Sequence, residues 1–93
     1  MSYVAEAERE ARTAAGWIDR DPGRALVHAD RAVALAPEDP RPHMMRAEIL
    51  QRLGREEEAQ VEVERALHLA PDAPGVVLPA AMIRESQGDT AGA

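Results

Sequence analysis

The sequence contains no cysteine, lysine, asparagine or phenylalanine, and its aromatic residues are one tyrosine and one tryptophan. Without thiols there is no disulfide framework, no thiolate metal site and no cysteine nucleophile. Without lysine there is no side-chain amine for a Schiff base. No apolar run approaches the roughly 20 residues that span a bilayer, and the N-terminus lacks the basic segment and apolar core of a signal peptide. These absences predict a cytoplasmic domain with no membrane segment.

The charges that are present are mostly acidic and unevenly placed. The 93 residues carry a net charge of −6, with 45% hydrophobic and 30% charged residues. Residues 1–46 hold 7 Arg against 8 acids, whereas residues 47–93 hold 4 Arg against 9 acids. Because nucleic-acid phosphates require a basic surface, a nucleic-acid partner is not expected. The use of Arg without Lys, together with abundant Ala, is typical of a high-GC bacterium.

The chain contains an internal repeat with a spacing of 34 residues. Residues 31–40 read RAVALAPEDP and residues 65–74 read RALHLAPDAP, and Ala25 and Ala59 extend the match. Clusters of Pro, Gly and Asp divide the chain into segments whose apolar residues recur at steps of three and four, which predicts helices. Two of the starts are Asp-Pro pairs, and Gly54 suits a helix end. We predict an all-α protein with five helices, at about 3–18, 22–35, 40–53, 56–70 and 76–87.

Two helices per 34-residue period, with small residues at fixed positions and a closing proline, resemble the tetratricopeptide repeat. The residues that carry the resemblance are Ala59, Val63, Ala66 and Pro71 in the better copy, and Ala25, Ala29, Ala32 and Pro37 in the other. The resemblance implies antiparallel helix pairs stacked as a short right-handed superhelix. It divides residues 1–93, as one domain, into repeat one (about 3–38), repeat two (about 39–73), a half repeat or capping helix (about 74–88) and a flexible tail (89–93).

The sequence departs from the family pattern at two kinds of position. His43 and Arg46 stand where the family has Trp and Leu. In the first helix, a spacing of 36 rather than 34 aligns Ala11 with Ala47, Ala14 with Leu50 and Trp17 with Leu53, which predicts a longer turn in repeat one. This alignment places Trp17 between paired helices rather than in a binding site.

No enzymatic activity and no cofactor is predicted. His28, His43 and His68 lack the spacing of a metal site and are interpreted as surface residues. Neither Ser2 nor Ser86 has a His and an acid in a recognisable arrangement. The glycines are scattered rather than grouped in a phosphate-binding loop. The predicted function is instead a scaffold or adaptor for protein–protein interaction.

The resemblance also implies where a partner binds. Stacked repeats form a concave groove that is lined by the first helix of each repeat and takes a peptide or helix. Carried over position by position, its residues here are Glu8, Arg12, Arg41, Met44, Glu48, Gln51, Arg52, Leu78, Met82 and Glu85. Arg12 and Glu48 are expected to be neighbours whose charges partly cancel. Met44, Leu78 and Met82 form an apolar strip, or alternatively the two methionines are ordinary packing. Without Lys or Asn, the family's clamp for a chaperone C-terminus is not expected.

A second hypothesis concerns the last helix, which lacks the second helix of its repeat. Either it caps the array, or its apolar side, represented by Val77, Ala80 and Ile83, forms a homo-oligomer, or the chain is a fragment of a longer protein. On the homo-oligomer hypothesis, Ile83→Asp would produce a monomer.

Overall fold

A computed structural model describes residues 3–92, with side chains described for residues 3–88. Within this part of the chain five helices follow one another and no strand occurs. They are α1 (Val4–Trp17), α2 (Pro22–Leu35), α3 (Pro40–Arg52), α4 (Glu56–Leu69) and α5 (Pro74–Gly92). The all-α prediction is confirmed, and the first four helices agree with their predicted bounds to within one residue at each end.

Helix α5 is longer than predicted at both ends. It begins at Pro74 and continues to Gly92, so residues 89–92 have a helical backbone where a flexible tail was expected. The segment after Gln87 is dominated by Gly, Asp and Thr, so no apolar periodicity could indicate a helix there. Pro79 lies inside α5, where it has no N–H to donate to the carbonyl of Gly75; Gly75 is exposed to solvent. The division into two and a half repeats stays a prediction.

The helix ends follow the signals in the sequence. The Asp21 carboxylate accepts a hydrogen bond from the Arg24 backbone N–H at 3.1 Å, and Asp39 accepts one from the Arg41 N–H at 3.0 Å. Each Asp is followed by a proline in the first helical position, where no backbone donor is needed. Gly54 ends α3 with φ of 78°, a conformation that favours glycine. These contacts confirm the helix boundaries that the Asp-Pro pairs and Gly54 predicted.

Small side chains allow the helices to approach one another closely. Helix α1 pairs with α2, α3 pairs with α4, and α5 packs against both α3 and α4. One buried cluster joins the first pair to α3, and the other joins the second pair to α5. Alanine supplies three of the four buried residues in the first cluster and three of the seven in the second, which keeps the helix axes close while larger residues fill the gaps. The buried members are Ala14, Ala25, Ala29 and Ile49 in the first cluster, and Met44, Ala47, Val63, Ala66, Val76, Ala80 and Ile83 in the second.

The burial of α1 confirms the shifted spacing of 36 residues. Ala14 is fully buried, as Leu50 is. Of the three residues that a spacing of 34 would bury, Arg12 and Gly16 are exposed and Thr13 is half-buried. Trp17 is half-buried and packs against the first cluster, as the shifted spacing predicted. The guanidinium carbons of Arg24 and Arg20 lie 4.3 Å and 5.0 Å from the centre of its ring, within the range of cation–π contacts.

Candidate functional site

The first helix of each pair lies on the inner side of the array. Helix α1 contacts α3, and α3 contacts α5. The second helices, α2 and α4, do not contact each other in the part of the chain that the structure describes. Because the first helices lie closer together than the second helices, the array curves around them. We call the surface of α1, α3 and α5 on this side the inner surface.

Between α1 and α3 the inner surface forms a groove with a volume of about 510 Å³. Alanines from α1 form its floor, and charged side chains stand at its edges. The α1 residues that line it are Ala7, Glu8, Ala11, Arg12 and Ala15, and the residues at or after the start of α3 are Asp39, Arg41, Pro42 and Met45. An apolar floor with charged edges can take an apolar side chain of a peptide and orient the peptide through its polar groups.

The charges at one edge of this groove are already paired. The guanidinium of Arg41 donates to Asp39, with Nη2 2.6 Å and Nε 3.1 Å from the carboxylate oxygens, and its Nη2 lies 3.6 Å from Glu8. The hydrogen bond from Arg41 lowers the pKa of the Asp39 carboxyl below its ordinary value and, in turn, raises the pKa of Arg41. One guanidinium faces two carboxylates here, so this edge keeps a net charge of about −1.

Arg12 and Glu48 lie unpaired on the inner surface. Arg12 lines the groove and forms no ion pair with Glu48 or with any other described residue, so the expected cancellation of their charges is not observed as a contact. Burial raises the pKa of the half-buried Glu48 carboxyl, against the opposing effect of the Arg52 cation one turn away. The Arg52 guanidinium does not bond to Glu48, because it donates to Asp19 instead.

The α5 end of the inner surface is apolar and open. Leu78 is 64% exposed and Met82 is 69% exposed, and they lie one turn apart on α5. At the far end of this stretch the Gln87 amide donates to the Gln51 side chain at 3.0 Å, and to the Glu56 carbonyl at 3.1 Å. These hydrogen bonds fix α5 against α3 and hold the apolar pair in place beside α3.

Comparison with known families agrees with this architecture. A family model for the tetratricopeptide repeat matches residues 17–78, two thirds of the chain. The chain belongs to the tetratricopeptide repeat family. No curated protein and no solved structure matches it. Members of the family are typically non-catalytic and mediate protein–protein interaction.

The structure explains why this repeat carries His43 and Arg46 where the family has apolar residues. His43 is 4% exposed and Glu62 is 3% exposed, and the His43 Nδ1 lies 2.6 Å from the Glu62 carboxylate. The other ring nitrogen, Nε2, lies 2.8 Å from the Pro37 carbonyl. Arg46 connects Glu62 to the more exposed Asp30. Its Nη1 donates to Glu62 Oε1 at 3.3 Å, and its Nε donates to Asp30 Oδ1 at 2.6 Å. A buried polar network thus joins α3 to α4 and to the α2–α3 turn.

The prediction that all three histidines are surface residues is therefore wrong for His43. The Pro37 carbonyl can only accept, so it accepts a hydrogen bond from His43 Nε2, and Glu62 contacts the ring at Nδ1. The other oxygen of Glu62 lies 3.3 Å from both Arg46 and Arg65. His28 is half-buried and contacts Glu10 at 2.7 Å. The only sequence signal for the burial of His43 is its partner Glu62 on α4. The sequence does not show that these two residues are in contact.

Several of the predicted groove residues lie at two places on the inner surface. Glu8, Arg12 and Arg41 come together around the α1–α3 groove, and Leu78 and Met82 are exposed on α5. Met44, by contrast, is 4% exposed and packs in the second core cluster with Val76 and Ala80. The predicted apolar strip is therefore interrupted, because α5 covers Met44. The packing alternative is correct for Met44, while Met82 has an open surface.

The residues predicted for self-association are also mostly buried. Ala80 and Ile83 lie in the core cluster against α3 and α4, and only Val77 is accessible. Ala80 and Ile83 belong to the side of α5 that packs on its own array, and Val77 lies outside that contact. Ile83→Asp would therefore damage the core rather than separate two chains. The exposed apolar residues of α5 are Val77, Leu78, Ala81 and Met82.

Features of other functional classes are absent from the described residues. No group of His, Asp and Glu side chains there could hold a metal ion. None of the described helices is both long and apolar enough to cross a membrane.

Proposed function

We propose that this protein is a non-enzymatic interaction scaffold that binds a peptide or helix of a partner protein on its inner surface. The observation that supports this proposal most directly is the groove between α1 and α3, with its alanine floor and the unpaired Arg12 at its edge. Such a groove offers apolar contact along its length and polar groups that set direction. The cytoplasmic location and bacterial origin expected from the composition stay predictions.

Selection of peptides from a display library, followed by NMR mapping on the full chain, tests the proposal. Peptides of about 16 residues span about 24 Å as a helix, which is enough to cross the groove. Selected peptides are expected to shift the backbone signals of the groove residues of α1 and α3. A set of selected peptides that all map to the outer helices α2 and α4 would contradict the proposal.

A pair of substitutions provides the matched control. Ala15 is exposed and lines the groove, and Ala34 is an exposed alanine on α2. Ala15→Glu is expected to weaken peptide binding by about tenfold or more, because it places in the groove a charge that a bound peptide would desolvate. Ala34→Glu introduces the same residue elsewhere and should leave binding unchanged. Equal effects of the two variants would show that net charge, rather than the groove, controls binding.

A second candidate function is self-association through α5, favoured by the exposed apolar residues Val77, Leu78, Ala81 and Met82. Light scattering at several concentrations measures the mass directly. The informative variant is now Val77→Asp, with Val27→Asp as its control, because both valines are exposed on helices. A dimer that only Val77→Asp dissociates would support this function, and a mass near 10 kDa at all concentrations would exclude it.

A further inference from the structure

The inner surface at the α3–α5 end combines an acidic group with apolar side chains. Met44 packs in the cluster with Val76 and Ala80, and two turns further along α3 the Gln51 side chain meets Gln87. Glu48 lies between these two contacts on the same face of α3, so it lies beside the middle of α5. Met82 occupies the equivalent position of α5, 34 residues later.

The Glu48 carboxylate is partly desolvated, and only the charge of Arg52 opposes the effect of burial on its pKa. It makes no hydrogen bond or ion pair with any residue that the structure describes, and Arg52, the nearest cation along the helix, is held by Asp19. Burial raises the pKa of Glu48 as a result. A partly desolvated carboxylate forms a stronger ion pair with a cation of a ligand than a fully hydrated carboxylate does.

The neighbouring residues define the rest of the ligand. Leu78 and Met82 offer a flexible apolar surface, and Glu85, which is exposed and unpaired, adds a second negative charge one turn beyond them. The half of the chain that contains these residues carries the larger excess of acids. Charge complementarity therefore favours a ligand that is cationic as well as apolar.

We infer that the α3–α5 end of the inner surface binds a peptide segment in which a Lys or Arg side chain lies within one helical turn of an apolar side chain. The cation pairs with Glu48, and the apolar side chain covers Leu78 and Met82. This inference rests on the proposed function and narrows it, since it specifies the chemistry of the partner segment.

Parallel selections with the same peptide library test the inference. The full chain, Glu48→Gln and Glu64→Gln serve as three separate targets; Glu64 is an exposed glutamate of α4 that lines a groove toward α2, away from the inner surface. Peptides selected on the unmodified chain are expected to be enriched in Lys or Arg next to Leu, Ile or Met. That enrichment should persist on Glu64→Gln and disappear on Glu48→Gln, although both variants change the net charge equally.

Affinities of one selected peptide give the second readout. Glu48→Gln is expected to weaken its binding about five- to tenfold, and replacing its Lys or Arg by Gln should have the same effect on the unmodified chain but little further effect on the variant. Urea unfolding of Glu48→Gln should show unchanged or slightly greater stability, because a desolvated charge is removed. Loss of binding through unfolding is thereby separated from loss of the ion pair.

The outcomes distinguish this inference from the proposed function. Peptides that map to the inner surface without Lys or Arg enrichment would overturn the inference and leave the proposed function standing. Equal loss of enrichment in Glu48→Gln and Glu64→Gln would overturn the inference as well, because the effect would then be general electrostatics. Peptides that bind only to α2 and α4 would overturn both.

Discussion

The buried pair of His43 and Glu62 makes a strong prediction about stability. Replacing His43 with alanine removes the ring that contacts a carboxylate almost completely inaccessible to water, and leaves the Pro37 carbonyl without its donor. Removing one partner of a buried ion pair typically costs about 3–5 kcal/mol. We therefore expect His43→Ala to lower the free energy of unfolding substantially, although His43 and Glu62 are both polar residues.

The surrounding residues place the expected loss at the lower end of that range. Arg46 and Arg65 remain 3.3 Å from the other oxygen of Glu62, and so still compensate part of its charge. A loss of about 3 kcal/mol corresponds to a fall in Tm of about 12–24 °C for a domain of this size. Since small domains are stable by only about 5–15 kcal/mol, this is a large share of the total.

Thermal and urea unfolding followed by circular dichroism measures the effect. His68→Ala is the matched control, because His68 is exposed on α4 and its loss should change stability by less than about 0.5 kcal/mol. The double substitution His43→Leu with Glu62→Met should recover most of the loss, since an apolar pair needs no charge compensation. A loss below about 1 kcal/mol for His43→Ala, or no recovery in the double variant, would refute the reasoning.

Three further predictions concern other parts of the structure. Gly54→Ala should destabilise the protein by about 1 kcal/mol because of the positive φ at this position, whereas Gly16→Ala, in open space on α1, should stabilise it by about 0.5–1 kcal/mol; equal signs in urea unfolding would contradict this. The pKa of Asp39 is lowered in the folded state by Arg41, so its contribution to stability is present above its ordinary pKa and is lost as the pH falls through the lowered one; acid unfolding of Asp39→Asn should lack this component. Ile83→Asp should unfold the protein by about 3 kcal/mol or more, because Ile83 is in the core; a fully stable variant would show that α5 does not dock as described.

The helix boundaries could be predicted because their signals are local, whereas the pairing of the helices came from the family resemblance. Asp21 and Asp39 cap helices whose first residue is proline, and Gly54 ends one, so each boundary follows from the conformational preference of two or three adjacent residues. The spacing of 36 in α1 could be inferred as well. It follows from the helical periodicity of Ala11, Ala14 and Trp17, which repeats in sequence whatever the helix packs against.

The candidate site could be predicted only in part. The resemblance placed Glu8, Arg12 and Arg41 together, and the structure does bring them to one groove. It could not show that Arg12 and Glu48 stay unpaired, since ion pairing depends on which other charges reach each group. Arg52, for example, bonds to Asp19, which is 33 residues away in sequence.

The sequence by itself determined the all-α class, the helix boundaries of α1 to α4 and the repeat, because these depend on periodicity and backbone preferences. Tertiary structure alone decided which face of each helix is covered. Met44 and Ile83 look like surface candidates in sequence but are buried where α5 docks, whereas His43 looks polar and is buried with Glu62. The burial of a residue depends on which helix packs against it, and the local sequence does not show which helices contact each other.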